Sequence, residues 1–278
     1  MGFIEILEAV LIGIIQGITE WLPVSSTGHM ILFDELVHLD ISDAFREMFL
    51  VVIQLGSILA VLVLYFQKLY PFAKSKSSAE KKATISLWCK VVVGAIPAGI
   101  AGVLFNDWFE EKFYNFFVVA IALIVYGVAF IVIERVVKKK GIRPKKETVY
   151  DLTYADALYI GCFQILSLIP GTSRSGSTII GGISKGVSRV AASEFSFFMA
   201  LPVMAGASLL KILKFFYNGN SFTSAEVLTL IIGVTVAFIV SLAAIKFLID
   251  FVKRHSFECF GWYRIALGII VLIFFLKR

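Results

Sequence analysis

Residues 13–30 read GIIQGITEWLPVSSTGHM, a stretch in which an acid, a proline and a run of hydroxyl residues interrupt apolar sequence. The apolar pieces on either side are shorter than the roughly 20 residues that a helix needs to cross a hydrocarbon core. Residues 155–184 have the same design, with GTSRSG at 171–176 as the interruption. Irregular backbone at membrane depth must be surrounded by protein or line a wet cavity. We therefore predict that 3–33 and 155–184 are re-entrant helix–loop–helix hairpins.

The composition of the 278 residues indicates a membrane protein. Hydrophobic residues make up 59% of the chain and charged residues 17%, whereas soluble globular domains are about 45–50% apolar and about 25% charged. This excess argues against a soluble enzyme and, despite the net charge of +6, against a partner nucleic acid. We predict an all-α integral membrane protein whose surroundings are the lipid bilayer.

Six further apolar runs are long enough, alone or with their flanks, to cross a bilayer. They are 48–67, 91–106, 113–133, 195–210, 227–245 and 265–276. Three of them follow each hairpin. The predicted architecture is therefore six transmembrane helices plus two re-entrant hairpins.

The charges of the connecting segments give an orientation. Segments 68–90 and 135–146 are rich in lysine and arginine, which favours the cytoplasmic side. Segments 34–47 and 107–112 are acidic and are predicted to face outward. When the side of the membrane is followed from one predicted crossing to the next, the first hairpin enters the membrane from outside and the second from inside.

The two hairpins also carry similar sequences, which predicts an inverted-topology repeat. We divide the single membrane domain 1–278 into a first repeat at 1–133, a basic cytoplasmic linker at 134–154 and a second repeat at 155–278. Gly13-x-x-Gln16 matches Gly161-x-x-Gln164, and Pro23-x-Ser25-Ser26 matches Pro170-x-Thr172-Ser173. The spacing between the two blocks is one residue shorter in the second hairpin, so the match contains a one-residue slip.

Ionisable residues at membrane depth are functional candidates, because burying one unpaired costs at least ~2.5 kcal/mol. In this sequence such candidates are predicted in the two hairpins and nowhere else. The first hairpin offers an amide, a carboxylate, hydroxyls and an imidazole, namely Gln16, Glu20, Ser25, Ser26, Thr27 and His29. The second offers glycines and hydroxyls around an arginine, namely Gly171, Thr172, Ser173, Arg174, Ser175, Gly176, Ser177 and Thr178.

Glycines and hydroxyls beside an arginine suit phosphate binding, because the backbone approaches the ligand closely and the guanidinium forks onto phosphate oxygens. No Gly-Lys-Ser/Thr follows, so the second hairpin is not a nucleotide-binding loop. Two alternatives stay open: Arg174 pairs with Glu20 for structural reasons, and the hydroxyls bond their own helix backbone. Together with a carboxylate, a serine and a histidine, the set predicts hydrolysis of a phosphate ester or anhydride.

At these motifs the chain resembles the undecaprenyl-diphosphatases of the bacitracin-resistance family (BacA/UppP). The strings that carry the resemblance are QGITEWLPVSSTGH at 16–29, VIQLGSILA at 52–60, PGTSRSGST at 170–178 and GVSRVAASEFSF at 186–197. The resemblance implies a multi-pass phosphatase of the bacterial cytoplasmic (inner) membrane. Its reaction converts undecaprenyl diphosphate to undecaprenyl phosphate and inorganic phosphate, which recycles the lipid carrier for peptidoglycan synthesis and confers bacitracin resistance. It also implies dependence on a divalent cation, Mg²⁺ or Ca²⁺.

On this basis we assign catalytic roles to Glu20, Ser26, His29 and Arg174. Ser26 is the predicted nucleophile, with Ser25 and His29 as alternatives, and His29 or Glu20 is the general base. Gln16 and Glu20 are the predicted metal contacts. The diphosphate is predicted to be bound by Gln16, Ser25, Thr27, Gly171, Thr172, Ser173, Ser175, Gly176 and Thr178.

A transporter is the rival function. Inverted repeats whose broken helices meet at the midplane are also a transporter architecture, so the same residues suit a flippase for the phosphorylated polyprenyl carrier, alone or combined with the phosphatase. The first hairpin's entry from outside favours a site open to the outer face. The sequence leaves the oligomeric state open, with a homodimer among the options.

Overall fold

A computed structural model describes residues 3–36, 42–141 and 143–276. Part of the predicted outward loop 34–47 lies outside these ranges. The described residues form helices and no strand, which confirms the all-α prediction. The helices are α1 Phe3–Thr19, α2 Ser26–Leu36, α3 Asp43–Val52, α4 Gln54–Leu64, α5 Phe66–Leu69, α6 Ser78–Phe113, α7 Phe116–Lys139, α8 Tyr154–Ile165, α9 Arg174–Ser184, α10 Arg189–Tyr217, α11 Ser224–Arg254 and α12 Glu258–Leu276, with 3₁₀ turns at Val149–Asp151 and Leu166–Leu168.

Six segments of the described chain are long and apolar enough to cross a membrane, as predicted. The first of these segments consists of α3 and α4, which are separated only by Ile53. The six segments are Asp43–Leu64, Ser78–Phe105, Phe116–Lys139, Arg189–Tyr217, Ser224–Arg254 and Glu258–Leu276. This confirms a multi-pass membrane architecture.

The predicted basic segment 68–90 is helical over much of its length, because α6 begins at Ser78. The Ser77 amide donates to Glu80 Oε2 at 2.7 Å, and the Glu80 amide donates to Ser77 Oγ at 3.3 Å. This reciprocal cap satisfies amides that a helix start leaves without partners. An uncharged run therefore marked the apolar part of the helix and missed its polar beginning.

Both predicted hairpins have a helix–turn–helix shape, formed by α1 with α2 and by α8 with α9. Each first helix packs along a long helix of the other half of the chain: α1 along α11, and α8 along α6. Glycine permits this approach, because a Cβ on Gly161 would lie 2.2 Å from the Gly94 carbonyl oxygen and one on Gly13 would lie 2.8 Å from Val236 Cβ. Small residues are the usual means of close helix packing in membranes.

The turns of the two hairpins have matching backbones. Ser25, just before α2, and Ser173, just before α9, both have φ 71°. The spacing from Gln16 to Ser25 equals that from Gln164 to Ser173. The one-residue slip in the predicted repeat is therefore wrong at the turns, because Ser25 corresponds to Ser173. Inversion of the two halves relative to a bilayer stays a prediction.

Helix α10 runs through the centre of the molecule, and every residue from 191 to 200 is buried. Phe197 of α10 packs edge-to-face on Trp21 of the first turn, with ring centroids 5.1 Å apart. Edge-to-face packing is a favoured aromatic geometry. This contact holds the turn of the first hairpin against α10, the helix that also contains Ser196.

Candidate active site

The turn after α1 and the turn that precedes α9 meet at one buried arginine. Arg264 of α12 donates from Nη1 to the Pro23 carbonyl at 3.1 Å, and from Nη2 to the carbonyls of Gly171 at 2.8 Å and Thr172 at 2.9 Å. Its side chain is completely buried. A single guanidinium therefore joins both interrupted hairpins, in the fork geometry that suits arginine.

The two predicted key charges are in direct contact. Arg174 Nη2 donates to Glu20 Oε1 at 2.8 Å, and Gln16 Nε2 donates to Glu20 Oε2 at 2.8 Å. The side chains of Arg174 and Glu20 are 10% and 6% exposed. The tips of the two hairpins therefore converge, as expected. The same contact is also the Arg174–Glu20 ion pair that the sequence left open as a purely structural alternative.

Helix α10 fixes the rest of the Arg174 guanidinium. Nη1 donates to the Ser196 carbonyl at 2.7 Å and lies 3.3 Å from Ser196 Oγ. Thr178 Oγ1 is 2.7 Å from Ser196 Oγ. The guanidinium also lies over the Trp21 ring, with its carbon 5.6 Å from the ring centroid. A cation held on a carboxylate, a carbonyl and an aromatic face has little freedom to turn.

Several donors at the turns lack hydrogen-bond partners among the described residues. They are Arg174 Nε, Thr172 Oγ1 and Trp21 Nε1, all buried. Buried polar groups are normally satisfied by protein or by ordered water, and an exception calls for an explanation. Arg264 Nε and both polar side-chain atoms of Gln164 also lack partners among the described residues. An anionic ligand bound at Arg174 is one way to satisfy the free donor on that residue.

Both serines with positive φ act as caps of the following helix. Ser173 Oγ accepts from the Gly176 amide at 3.2 Å, and Ser25 Oγ accepts from the Gly28 amide at 3.4 Å. A non-glycine residue in this region is strained, and such strain clusters at functional sites. Ser25 Oγ is thus engaged in a cap, whereas Ser26, half-buried at the start of α2, makes no side-chain hydrogen bond within the described ranges. Its role as nucleophile stays a prediction.

The His29 ring is committed to two partners. Nδ1 donates to the Ser25 carbonyl at 2.7 Å, so Nε2 is the nitrogen that accepts, and the Tyr263 hydroxyl lies 2.6 Å from it. The carbonyl can only accept, which fixes this tautomer. Neither nitrogen contacts Ser26 in this arrangement. For His29 to take a proton from Ser26, Nε2 must exchange its bond with Tyr263.

The two glycines that are predicted to admit a ligand are closely packed. Gly171 has φ 90°, and a Cβ there would lie 2.6 Å from the Val119 carbonyl oxygen of α7. A Cβ on Gly176 would lie 3.3 Å from Ser173 Cβ and 3.4 Å from Arg264 Nη1. The backbone angle and the contact with α7 require glycine at 171, whereas the contacts at 176 are only tight. The predicted binding roles of both glycines stay predictions.

The other hydroxyl residues of the two turns divide into two groups. Ser177 Oγ donates to the Ser173 carbonyl at 3.0 Å, and Thr178 Oγ1 lies 2.9 Å from the Arg174 carbonyl, so both hydroxyls bond the backbone of their own segment. Ser175 Oγ lies 3.2 Å from Ser173 Oγ, and Thr27 is half-buried at the start of α2. The predicted binding roles of Thr27, Ser175 and Thr178 stay predictions, and Ser177 has no predicted binding role.

Sequence reasoning missed Arg264, Tyr263 and Ser196. The prediction that buried ionisable candidates occur only in the hairpins is wrong, because Arg264 is fully buried in α12. The predicted run 265–276 begins one residue after this arginine, so the arginine lies just outside the uncharged run. The available signal was a lone arginine in a segment with apolar residues on both sides. Ser196 gave no such signal, because its contact is mostly through backbone.

The side-chain oxygens of Glu20 and Gln16 suit a cation whose other ligands are phosphate oxygens of the substrate. No group of three or more His, Cys, Asp or Glu side chains suited to a metal occurs in the described part of the chain. Glu20 is one carboxylate, and its oxygens already accept from Arg174 and Gln16. Mg²⁺ commonly binds through one or two carboxylates plus substrate phosphates. Glu20 and the Gln16 amide oxygen fit that mode and do not form an all-protein cage.

Comparison with known proteins agrees with the resemblance. The family model of bacitracin resistance protein BacA matches residues 9–270. An undecaprenyl-diphosphatase of Enterococcus faecalis is 54% identical over 99% of both chains. One from Desulfitobacterium hafniense is 54% identical over 100% of this chain and 99% of its own, and undecaprenyl-diphosphatase 1 of Clostridioides difficile is 56% identical over 99% and 97%. With two interrupted hairpins joined at Glu20 and Arg174 and a family match across nearly the whole sequence, this chain belongs to the BacA bacitracin resistance protein family.

Proposed function

We propose that the protein is an undecaprenyl-diphosphate phosphatase: it cleaves the phosphoanhydride of undecaprenyl diphosphate, releasing inorganic phosphate and leaving undecaprenyl phosphate. The observation that carries the proposal is the contact between Glu20 and Arg174 across the two hairpins, with unsatisfied buried donors beside it. Relatives that are more than half identical bear the name of this activity. The product is the carrier lipid that peptidoglycan synthesis requires, and the matching family model is that of bacitracin resistance protein BacA.

The proposed reaction has two phosphoryl transfers. Ser26 Oγ attacks the terminal phosphorus, the bond from that phosphorus to the bridging oxygen breaks, and undecaprenyl phosphate leaves with the bridging oxygen. The serine proton goes to His29 Nε2 or to Glu20. Water then attacks the phosphoserine, the bond to Oγ breaks, and inorganic phosphate leaves as the proton returns to Ser26. This is nucleophilic catalysis assisted by a base.

Phosphoryl transfer depends mainly on positioning and on neutralising charge. Arg174 supports both roles, because its Nη1 is fixed by Ser196 and its Nε has no partner in the described structure. A diphosphate that accepts from Arg174 would compete with Glu20 for the guanidinium. Glu20 released in this way is available as a base or as a cation ligand.

A divalent cation would be bound by Glu20 and Gln16 together with phosphate oxygens of the substrate. When bound, it neutralises phosphate charge and orients the diphosphate. Glu20 and Gln16 then contribute one carboxylate and one amide oxygen at the end of α1, where the Glu20 amide donates to the Gln16 carbonyl at 3.1 Å. Mg²⁺ and Ca²⁺ both take oxygen ligands.

We further propose that the halves are inverted in a bacterial cytoplasmic membrane, with the site open to the outer face. The basic ends of α7 and α11 support this orientation through the positive-inside rule. The prenyl tail would lie along the apolar outer surfaces of the helices, reached from the bilayer.

The direct test is phosphate release by the purified protein in detergent, where no second compartment exists. A phosphatase releases inorganic phosphate from undecaprenyl diphosphate under these conditions, and a chelator stops it. A flippase that only binds the headgroup releases none. Absence of phosphate release in the presence of Mg²⁺ or Ca²⁺, with the protein folded, would contradict the proposed function in favour of transport.

A further inference from the structure

A cavity lies away from the hairpin turns, at the ends of several helices. It has a volume of about 860 Å³ and lies where α7, α9 and α11 end and where α10 and α12 begin. We call it the basic-end cavity, after three of its lining residues, Lys138, Arg143 and Arg254. None of its lining residues belongs to the proposed active site. Helix α9, which runs from Arg174 to Ser184, separates the two by about 15 Å of helix at 1.5 Å per residue.

Two acids in the cavity wall are already neutralised. Glu134 accepts from Arg189 Nε at 2.8 Å and from the Phe257 amide at 3.0 Å, and its side chain is only 2% exposed. Glu258 pairs with Arg135 at 2.7 Å. These acids therefore do not offset the other positive charges of the wall.

Three cations of the basic-end cavity form no direct salt bridge with an acid of the described chain, although Arg254 attracts Asp250 at longer range, an acid already bound by Lys253 Nζ at 2.8 Å. Lys138, Arg143 and Arg254 make no ion pair with any residue that the structure describes, and all three are exposed. They come from three segments, the end of α7, the loop after it and the end of α11, and they line the same space. Glu147 contributes one negative charge, so the wall keeps an excess of positive charge.

We propose that the basic-end cavity binds the phosphate of an anionic phospholipid headgroup. Lys138 and Arg254 are in the last turns of two membrane-spanning helices, which is where headgroups lie. On those helices Val132, Val136 and Phe247 are 53%, 41% and 54% exposed, so apolar surface for acyl chains leads to the cations. Basic pockets between the ends of transmembrane helices are known to bind phospholipid headgroups.

The test uses a variant that removes the three charges and a matched control. The variant is Lys138→Gln/Arg143→Gln/Arg254→Gln. The control is Lys74→Gln/Lys139→Gln/Lys140→Gln, which removes three exposed lysines that do not line the cavity. Phosphatidylglycerol, phosphatidylcholine or inorganic phosphate is titrated into each purified protein in neutral detergent, and the rise in melting temperature is recorded.

Phosphatidylglycerol should raise the melting temperature of the native protein and of the control, and phosphatidylcholine should not. Each basic residue near an anionic lipid strengthens binding about fivefold, so the cavity variant should bind about a hundredfold more weakly. Equal phosphatidylglycerol affinity in the cavity variant and the control would overturn the proposal. So would an effect of inorganic phosphate as large as that of the lipid, which would identify a soluble anion as the ligand.

A pair of single variants covers the case in which the triple variant does not fold. Arg254→Lys keeps the charge and should bind phosphatidylglycerol like the native protein, whereas Arg254→Gln should bind about fivefold more weakly. Equal affinity of these two variants would contradict a role for this charge. Because lipid binding is the readout, the result is independent of phosphatase activity.

Discussion

Arg174 Nη2 donates a hydrogen bond to Glu20 Oε1 at 2.8 Å, across 154 positions of sequence. Each charge lowers the cost of burying the other, which removes the main objection to placing either at membrane depth. The pair also couples binding to activation, because a phosphate that takes up the guanidinium leaves Glu20 with a free oxygen. One contact can therefore stabilise the resting protein and prepare the site for its substrate.

Replacing Ser26 with alanine tests the nucleophile. Ser26→Ala should lower turnover by roughly 10³-fold or more, because loss of a nucleophile leaves only catalysis by binding and charge. The measurements are phosphate release and trapping of a labelled phosphoenzyme, which should disappear. Ser177→Ala is the control, since that hydroxyl bonds the backbone of its own helix. A phosphoenzyme that persists in Ser26→Ala would move the role to Ser25 or His29.

Replacing Arg264 with lysine tests the joint between the two turns. The lysine keeps the charge but cannot reach the three carbonyls that Arg264 binds. A lost hydrogen bond to a charged group costs about 1.5–3 kcal/mol, so the free energy of unfolding should fall. The turns should also lose alignment, and kcat of the folded protein should fall about tenfold or more, which corresponds to about 1.4 kcal/mol.

The matched control for this change is Arg189→Lys. Arg189 also binds a buried partner, Glu134, but away from the turns. It should lower the melting temperature and leave kcat of the folded protein near the native value. If Arg264→Lys likewise changed only stability, Arg264 would be structural and would not position the site.

Removing the divalent cation should stop turnover without unfolding the protein. EDTA should abolish phosphate release, and Mg²⁺ or Ca²⁺ should restore it. The melting temperature without substrate should not change, because Glu20 and Gln16 alone form no metal cage in the described structure. A large loss of stability on chelation would instead indicate a structural metal, and full activity in EDTA would remove the cation from the mechanism.

Cysteine labelling tests the orientation. In a background with Cys89, Cys162 and Cys259 replaced, Ser221→Cys should react with a membrane-impermeant reagent on intact cells, and Lys140→Cys should react only after the cells are opened. Both positions are exposed and lie outside or at the end of a spanning helix. The reverse pattern would invert the proposed topology and place the basic-end cavity outside.

The architecture could be predicted closely from the sequence, because a helix that crosses a bilayer needs a long apolar run and hydropathy detects such runs. Lengths of uncharged sequence located all six spanning segments, and the interruptions at Glu20–Ser26 and Gly171–Gly176 located both hairpin turns. Helix beginnings were located less well, since α6 starts with a polar cap that hydropathy does not detect. The register of the repeat required backbone angles, because the two prolines are not at equivalent positions.

The site was predictable where it depends on unusual residues in the hairpins and unpredictable where it depends on tertiary contact. Glu20, Gln16 and Arg174 were conspicuous as polar residues in apolar sequence. Ser196 acts mostly through its carbonyl, which any residue has. The contact of Tyr263 with His29 depends on how α12 packs against α2, and nothing in the local sequence of either helix specifies it.

In the proposed function Arg174 and Glu20 form one catalytic centre, and substitution of the arginine separates this role from that of a structural ion pair. Arg174→Lys keeps a positive charge but cannot contact Glu20, Ser196 and a phosphate together, so phosphate release from undecaprenyl diphosphate should fall about 100-fold or more. Arg135→Lys, at the exposed pair with Glu258, should release phosphate at the native rate. Near-native phosphate release by folded Arg174→Lys would show that the contact between Arg174 and Glu20 is a structural ion pair and not a catalytic centre.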